Sequence, residues 1–355
     1  MASLHPRRAV LKSAGAATAA LAAVALSLSA CSTGSTVSST ATPASAGQFP
    51  VTIKNVFGET TIKSQPQRVV TVSWVNDDVA LALGVVPVGV PKNAWGNNDK
   101  GSTPWKDAAL EKLGAGFGTP KAPVQYSEAD GINFTEIAKL APDVILAAYS
   151  GLNEADYKKL SEIAPVVAQP ELAYGTPWQD ATTIIGKALG KETEAAKLVS
   201  DTEATIKDKV AAFPQLAGKT FIYGNLEPAK GDGVNVYTAN DNRPRFLSEI
   251  GMKLAPVVEN ASKGSKEFFV PWSAEKANEL SSDVFVTWVP DSKTTDQIKA
   301  DPLLGQIPAI KKGALVADSD NTLTLAISAS SPLSLPWAMD KFLPQLAKGA
   351  DAAAN

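Results

Sequence analysis

Apolar residues along this chain recur with two different periods. Between residues 191 and 213 the period is helical. Ala195, Leu198, Val199, Thr202, Ile206, Val210 and Phe213 keep to one stripe, with Lys, Glu and Asp on the other faces. No Gly or Pro interrupts the stretch and Pro214 stops it, so the pattern predicts one amphipathic helix. At 1.5 Å per residue it would run roughly 35 Å, about the width of a small domain.

Short apolar runs separated by turn residues lie on either side. Before the helix they predict a hairpin over 51–62 and strands over 68–72, 85–90, 143–147 and 166–168. The helices between them span 78–83, 136–140, 154–163 and 178–189, the first capped by Asn76 or Asp77. After the helix, strands are expected over 219–223, 234–238, 283–288 and 315–317, and helices over 246–250, 274–280 and 335–346. Strands and helices in alternation, with short connections, imply parallel sheets. The connection over 91–130 is rich in Gly, Pro, Asn and Trp, and a loop that long is expected to be functional.

The expected fold is therefore α/β, with two lobes, each a central mostly parallel sheet flanked by helices, joined by one long α-helix. The boundaries are 49–190 for the first lobe, 191–217 for the joining helix and 218–355 for the second lobe. The halves also echo each other. Residues 137–146 (IAKLAPDVIL) and 277–286 (ANELSSDVFV) both read as helix, Leu, two residues, Asp and a buried strand. Ligands of open α/β sheets bind beyond the carboxyl ends of the strands, so the two lobes would face each other across a cleft.

The first 48 residues read differently. Arg7, Arg8 and Lys12 precede an Ala/Leu/Val-rich stretch over 13–28, the pattern of an export signal. It is too short and too rich in small residues for a membrane-spanning helix. It ends in Leu28-Ser29-Ala30-Cys31, which resembles a bacterial lipobox and implies cleavage after residue 30 and lipidation of Cys31. The twin arginines leave two export routes open, Sec and twin-arginine. Residues 31–48 have the composition of a flexible tether. Together these features place the folded part at the extracytoplasmic face of the cell membrane, held by lipid on Cys31.

Composition narrows the chemistry. Of 355 residues 45% are hydrophobic and 19% charged, an ordinary globular balance. Without the leader's three cations the formal charge moves from −3 to −6, which argues against nucleic acid as a partner. The one histidine, His5, lies in the leader, and Cys31 is the one cysteine. That excludes Ser–His–Asp and Cys–His catalytic sets and metal ligation by His or thiolate. No phosphate-binding glycine motif is present. Catalysis by carboxylates alone stays open, but the balance favours a protein that binds something already assembled, with no cofactor of its own.

Aromatic residues stand where strands should end: Trp74, Tyr149, Tyr223, Tyr237 and Trp288, with Trp95 and Trp272 in loops. Large rings suit an amphipathic ligand of moderate size; the alternative for each is packing beneath a loop. Beyond the leader there are 27 lysines and only three arginines, Arg68, Arg243 and Arg245. The last two share one loop, and a guanidinium presents a rigid planar fork to oxygen acceptors. Recognition of an oxygen-rich ligand is one reading of that loop, and a surface ion pair is the other. Arg68, at a strand start, reads as structural.

Several stretches taken together resemble a known family, the iron-siderophore and vitamin B12 substrate-binding proteins of ATP-binding-cassette importers. They are residues 66–70 running to 83–90, Ile137 to Ile145, 160–165, 246–251 and 304–317. In order, with the mid-chain helix, they cover nearly everything from about Phe49 onward. The resemblance implies a non-enzymatic monomer with limited hinge motion that captures a ferric siderophore and delivers it to the importer's permease. Cobalamin and haem are the alternatives within the family, and hydrolysis of a chelator ester is the alternative outside it. Family members dock through one glutamate on each lobe, and Glu136 and Glu249 occupy the matching positions. Pocket roles carried over to Trp74, Trp95 and Trp272, and oxygen contacts assigned to Arg243 and Arg245, complete the expectation.

Overall fold

A computed structural model describes residues 49–228 and 233–354. The leader, Cys31 and the tether lie outside the described residues. The first lobe opens with the hairpin β1 (Val51–Asn55) and β2 (Gly58–Ile62), followed by β3 (Val69–Thr71) and α1 (Asn76–Ala82). β4 (Gly89–Pro91), α2 (Pro104–Lys112), β5 (Val124–Tyr126) and α3 (Phe134–Lys139) come next. β6 (Val144–Ala147), α4 (Glu154–Ser161), β7 (Val166–Ala168) and α5 (Trp178–Ala188) complete it. Strands β3 to β7 form a wholly parallel sheet in the order β5-β4-β3-β6-β7. Its central strand pair, β3 and β6, is buried on both faces, which is why their sequences are unbroken apolar runs rather than alternating ones.

The joining helix is α6 (Glu192–Val210). It is shorter than its apolar stripe, because Ala211 and Ala212 turn out of it before a 3₁₀ segment at Pro214–Leu216. It packs against α5 on one side and the chain-terminal helix on the other, burying Ala195, Thr202 and Ile206. Its crossing with α5 is very close. A Cβ at Gly186 of α5 would stand 2.2 Å from Ala195 Cβ, so only glycine fits there.

The second lobe contains β8 (Thr220–Leu226), β9 (Val234–Tyr237), α7 (Asn242–Glu249), β10 (Lys253–Leu254), α8 (Pro256–Ala261) and β11 (Phe269–Trp272). It continues through β12 (Val284–Trp288), α9 (Ser292–Ala300), α10 (Pro308–Lys311), β13 (Leu315–Asp318), α11 (Asn321–Ser328) and α12 (Ser334–Ala354). Its sheet runs β11-β9-β8-β12-β13, with β10 on β8. β10, β8, β12 and β13 pair in parallel, whereas β9 pairs antiparallel with both β8 and β11. The architecture is thus α/β, with helix-flanked, mostly parallel sheets in two lobes. The closing helix extends well past the expected 335–346, with Pro344 inside it.

The repeated Leu-x-x-Asp-strand pattern has a common physical job. Asp143, ahead of β6, accepts the backbone N–H groups of Gln67 and Arg68 at the head of β3 (2.7 and 3.0 Å). Asp283, ahead of β12, accepts the backbone N–H and hydroxyl of Thr220 at the head of β8 (2.7 and 2.8 Å). Each carboxylate satisfies donors that the end of a parallel ladder leaves unpaired. Arg68 does donate to backbone, its guanidinium meeting the carbonyls of Leu140 and Ala141 at the end of α3.

One helix start differs from expectation. Neither Asn76 nor Asp77 caps α1; the capping position is Val75, in a left-handed conformation (φ 73°). The Asn76 amide instead donates to the carbonyls of Val72, Trp74 and Tyr149 (2.8, 2.9 and 2.9 Å). It thereby holds together the loops that leave β3 and β6.

Candidate functional site

The carboxyl ends of β3 and β6 in the first lobe face those of β8 and β12 in the second, and a cavity of about 360 Å³ lies between them. Trp74, in the loop after β3, and Tyr149, just after β6, enter from one lobe; Tyr237 at the end of β9 and Trp288 at the end of β12 enter from the other. Trp95 reaches across from the long connection and meets Trp288 edge-on, with centroids 5.9 Å apart. Gly96 permits this. Its φ is +67°, and a side chain there would collide with the Asn321 carbonyl and Leu325 of α11.

Trp74, Trp95, Tyr174 and Phe268 are each about 40% exposed or more, and all four line this cavity. Apolar rings of that size left in water at one place mark a binding surface. Tyr174 sits between Trp74 and Tyr149 (5.7 and 5.9 Å between centroids). The floor comes from α11 and its end, with Thr324, Leu325, Ser328 and Ala329.

Among the described residues that line the cavity, the charged part is a single pair. Asp241 Oδ1 caps α7 by accepting the Arg243 backbone N–H (2.9 Å), and it also accepts Arg243 Nε (2.7 Å). Its Oδ2 accepts Nη2 (2.6 Å), giving a bidentate fork. The guanidinium lies 3.4 Å from the Tyr237 ring centroid, a stacked cation–π arrangement. Burial opposes the charge on Arg243, but Asp241 outweighs it and holds the group ionised above its ordinary range. Burial likewise pushes the Tyr149 and Tyr223 hydroxyls up, so both rings present neutral phenols.

Six of the nine residues predicted to hold ligand meet in this cavity: Trp74, Trp95, Tyr149, Tyr237, Arg243 and Trp288. Three do not. Tyr223 is buried behind the wall, edge-on to Tyr237 at 5.9 Å. Trp272 is on β11 outside the cavity, its indole N–H donating to the Lys276 carbonyl (3.0 Å). Arg245 parts from Arg243, because neighbouring helix positions that are two apart point in different directions. Arg245 lines the adjoining groove with Trp178, Gln179 and Glu249, donating to the Gly175 carbonyl of the first lobe (2.6 Å).

Sequence reasoning missed Tyr174, Asn225, Asp241, Phe268 and the α11 floor. Asp241 had a legible signal, since Asp ahead of a helix is a common cap. Tyr174 and Phe268 had none, lying in irregular loops.

The two predicted docking glutamates have unlike settings. Glu136 is exposed at the first turn of α3, paired with Lys139 at 2.6 Å. Glu249, at the end of α7, keeps an exposed face, but its carboxylate accepts the Trp178 indole N–H (3.1 Å) and the Gln179 amide (3.3 Å) from the first lobe. Partial burial raises its pKa. Among the described residues, no group of three or more His, Cys, Asp or Glu could hold a metal ion, and no helix is long and apolar enough to cross a membrane.

Two α/β lobes enclosing an aromatic chamber and joined by one long helix have the build of a solute-binding protein. The chain belongs to the periplasmic binding protein family, whose profile matches residues 69–322. It is 26% identical over 271 residues to the Fe(3+)-citrate-binding protein YfmC of Bacillus subtilis, covering 74% of this chain and 76% of that one. It is 27% identical over 299 residues to the ferric enterobactin-binding periplasmic protein FepB of Escherichia coli, covering 79% and 87%. Among solved structures, PiaA of Streptococcus pneumoniae in complex with ferrichrome matches with a TM-score of 0.79 and 36% identity over 85% of this chain and 99% of that one. These relatives are binding proteins.

Proposed function

We propose that this protein captures a ferric siderophore in the inter-lobe chamber and delivers it to the permease of an ABC-type iron importer. It binds without turnover, and its iron arrives as cargo wrapped in chelator. One observation carries the reading: four exposed rings and a stacked arginine converge on one cavity between the lobes. Such a chamber offers apolar faces to a chelator's backbone and guanidinium donors to its oxygens. Similarity to PiaA bound to ferrichrome, and to receptors named for ferric citrate and ferric enterobactin, supports it. Retention at the membrane through lipid on Cys31 and action as a monomer belong to the same reading.

The test is a fluorescence titration of the mature protein with ferric hydroxamate, ferric catecholate, ferric citrate, haem and cobalamin. With Trp74, Trp95 and Trp288 lining the chamber, a bound ferric chelate is expected to quench tryptophan emission saturably. Saturation by haem or cobalamin alone would move the protein to another branch of its family. Chelator consumed, with a change in mass, would make it a hydrolase.

A further inference from the structure

The charge of the chamber narrows its cargo, an inference that rests on the siderophore reading above. Asp241 and Arg243 are the two charged residues among the described residues that line the cavity, and they are locked to each other by the two-pronged contact described above. Both are largely enclosed, with 12% and 18% of their side-chain surfaces exposed. The remaining lining is aromatic, aliphatic or neutral and polar, as at Asn225, Thr324 and Ser328. Behind Thr324 stands a further carboxylate, Asp318, which accepts the Thr324 hydroxyl (3.0 Å) and the Asp320 backbone N–H (3.2 Å). Among the described residues that line it, the chamber's cation therefore brings no net positive charge with it, and Arg245, which Asp241 also attracts, lies in the adjoining groove.

We propose that Asp241 sets charge selectivity: by cancelling Arg243 it makes the chamber a receptacle for electroneutral ferric chelates and a poor one for polyanionic chelates. A ferric ion held by three singly charged bidentate arms, as in a tris-hydroxamate, is electroneutral. Tris-catecholate and citrate chelates retain negative charge. A polyanion entering an aromatic cavity sheds its hydration and needs countercharge in return, and here the countercharge is already taken. A neutral chelate loses less on desolvation and still meets a donor, because Asp241 does not engage Nη1 of Arg243. Asp241 thus leaves the arginine its hydrogen-bonding geometry while removing its attraction for anions.

The experiment compares wild type with Asp241→Asn, titrated with ferrichrome, ferric citrate and ferric enterobactin at low and at moderate salt. Asparagine keeps an oxygen for capping α7 and removes the charge together with the acceptor that holds Arg243 Nη2. Wild type is expected to bind ferrichrome about tenfold or more tightly than either anionic chelate, with little dependence on salt. Asp241→Asn is expected to raise affinity for the anionic chelates about tenfold relative to ferrichrome, a gain that salt erodes. The wild-type ranking needs no variant, so the proposal is testable even if Asp241→Asn fails to fold. Preference of the wild type for an anionic chelate, or an unchanged ratio in a folded Asp241→Asn, overturns the role of Asp241 and leaves siderophore capture standing. Binding of none of the three would instead overturn the reading beneath it.

Discussion

Glu128 shows what holds one exposed wall of the chamber in place. Its Oε2 accepts the backbone N–H of Ser73 (3.0 Å), in a loop where Ser73 and Val75 both take positive φ (63° and 73°). A β-branched residue in that region is strained, and such strain gathers at functional sites. From between these two residues Trp74 projects into the cavity. Burial pushes the Glu128 carboxyl from its ordinary 4.5 to about 7, and burial with Asp77 alongside pushes Asp78 to about 6. A carboxyl that holds its proton more tightly when folded costs stability as pH rises. For Glu128 the cost is absent below about 4.5 and complete above about 7. Glu128→Gln keeps an oxygen for Ser73 and removes the ionisation. The variant should therefore gain about 2 kcal/mol on wild type at pH 8 and little at pH 4.5. Denaturant unfolding at the two pH values measures this, and a gain of equal size at both would refute it. At this scale the strand-end aromatics were legible, since strand ends are where α/β sheets bind ligands. The partner of Arg243 was not, because adjacency in a loop does not say which side chains turn toward each other.

At the scale of elements, long periodic stretches were read well and starts were not. α7 begins at Asn242, ahead of the expected start at 246. A proline in the first turn gives up an N–H that has no intrahelical partner there, and the Asp241 cap supplies the start. α11 was overlooked because Thr322 to Ile327 alternates like a strand, yet Asp320 caps it by accepting the Thr322 and Leu323 N–H groups (2.9 and 3.1 Å). That omission also removed the chamber's floor from the predicted site. The α5–α6 crossing yields a direct test. Gly186→Val would overpack it against Ala195 and should cost about 2 kcal/mol or more. Adding Ala195→Gly should recover part of the loss, and the coupling is read from a double-mutant cycle by urea unfolding. Additive losses would show that the two positions do not meet.

At the scale of the whole molecule, one hydrophobic core runs through both lobes, from Val79 and Ile185 to Phe285 and Phe342. Trp105 of α2 meets Trp337 of α12 with centroids 5.1 Å apart. Hydrogen bonds add to it across the cleft. Tyr149 donates to the Ser328 carbonyl (3.3 Å), Arg245 to the Gly175 carbonyl, and Ser331 to Asp78 (2.7 Å). Glu249 is one of these ties as well as a proposed docking residue, and the two roles should separate in experiment. Glu136→Ala is expected to reduce cellular uptake of ferric chelate while leaving binding by the purified protein unchanged. Glu249→Ala is expected to change both, since it also frees Trp178 and Gln179. Uptake assays beside chelate titrations distinguish these outcomes, and wild-type binding by Glu249→Ala would count against its lobe-bridging role.

Sequence alone determined the α/β class, the two-lobe division, the spine helix and the family. Each rests on periodicity or on ordered motifs spread along the chain, and that information is local or additive. The lack of histidine and thiol ligands was equally plain from composition. Which of two arginines two residues apart enters the chamber, its ion pair with Asp241 and the crossing of Trp95 to Trp288 emerge only in the folded molecule. It also showed that α6 meets α5 too closely for any side chain at Gly186. These depend on where side chains from distant segments point once both lobes close on one core, and no period in the chain encodes that.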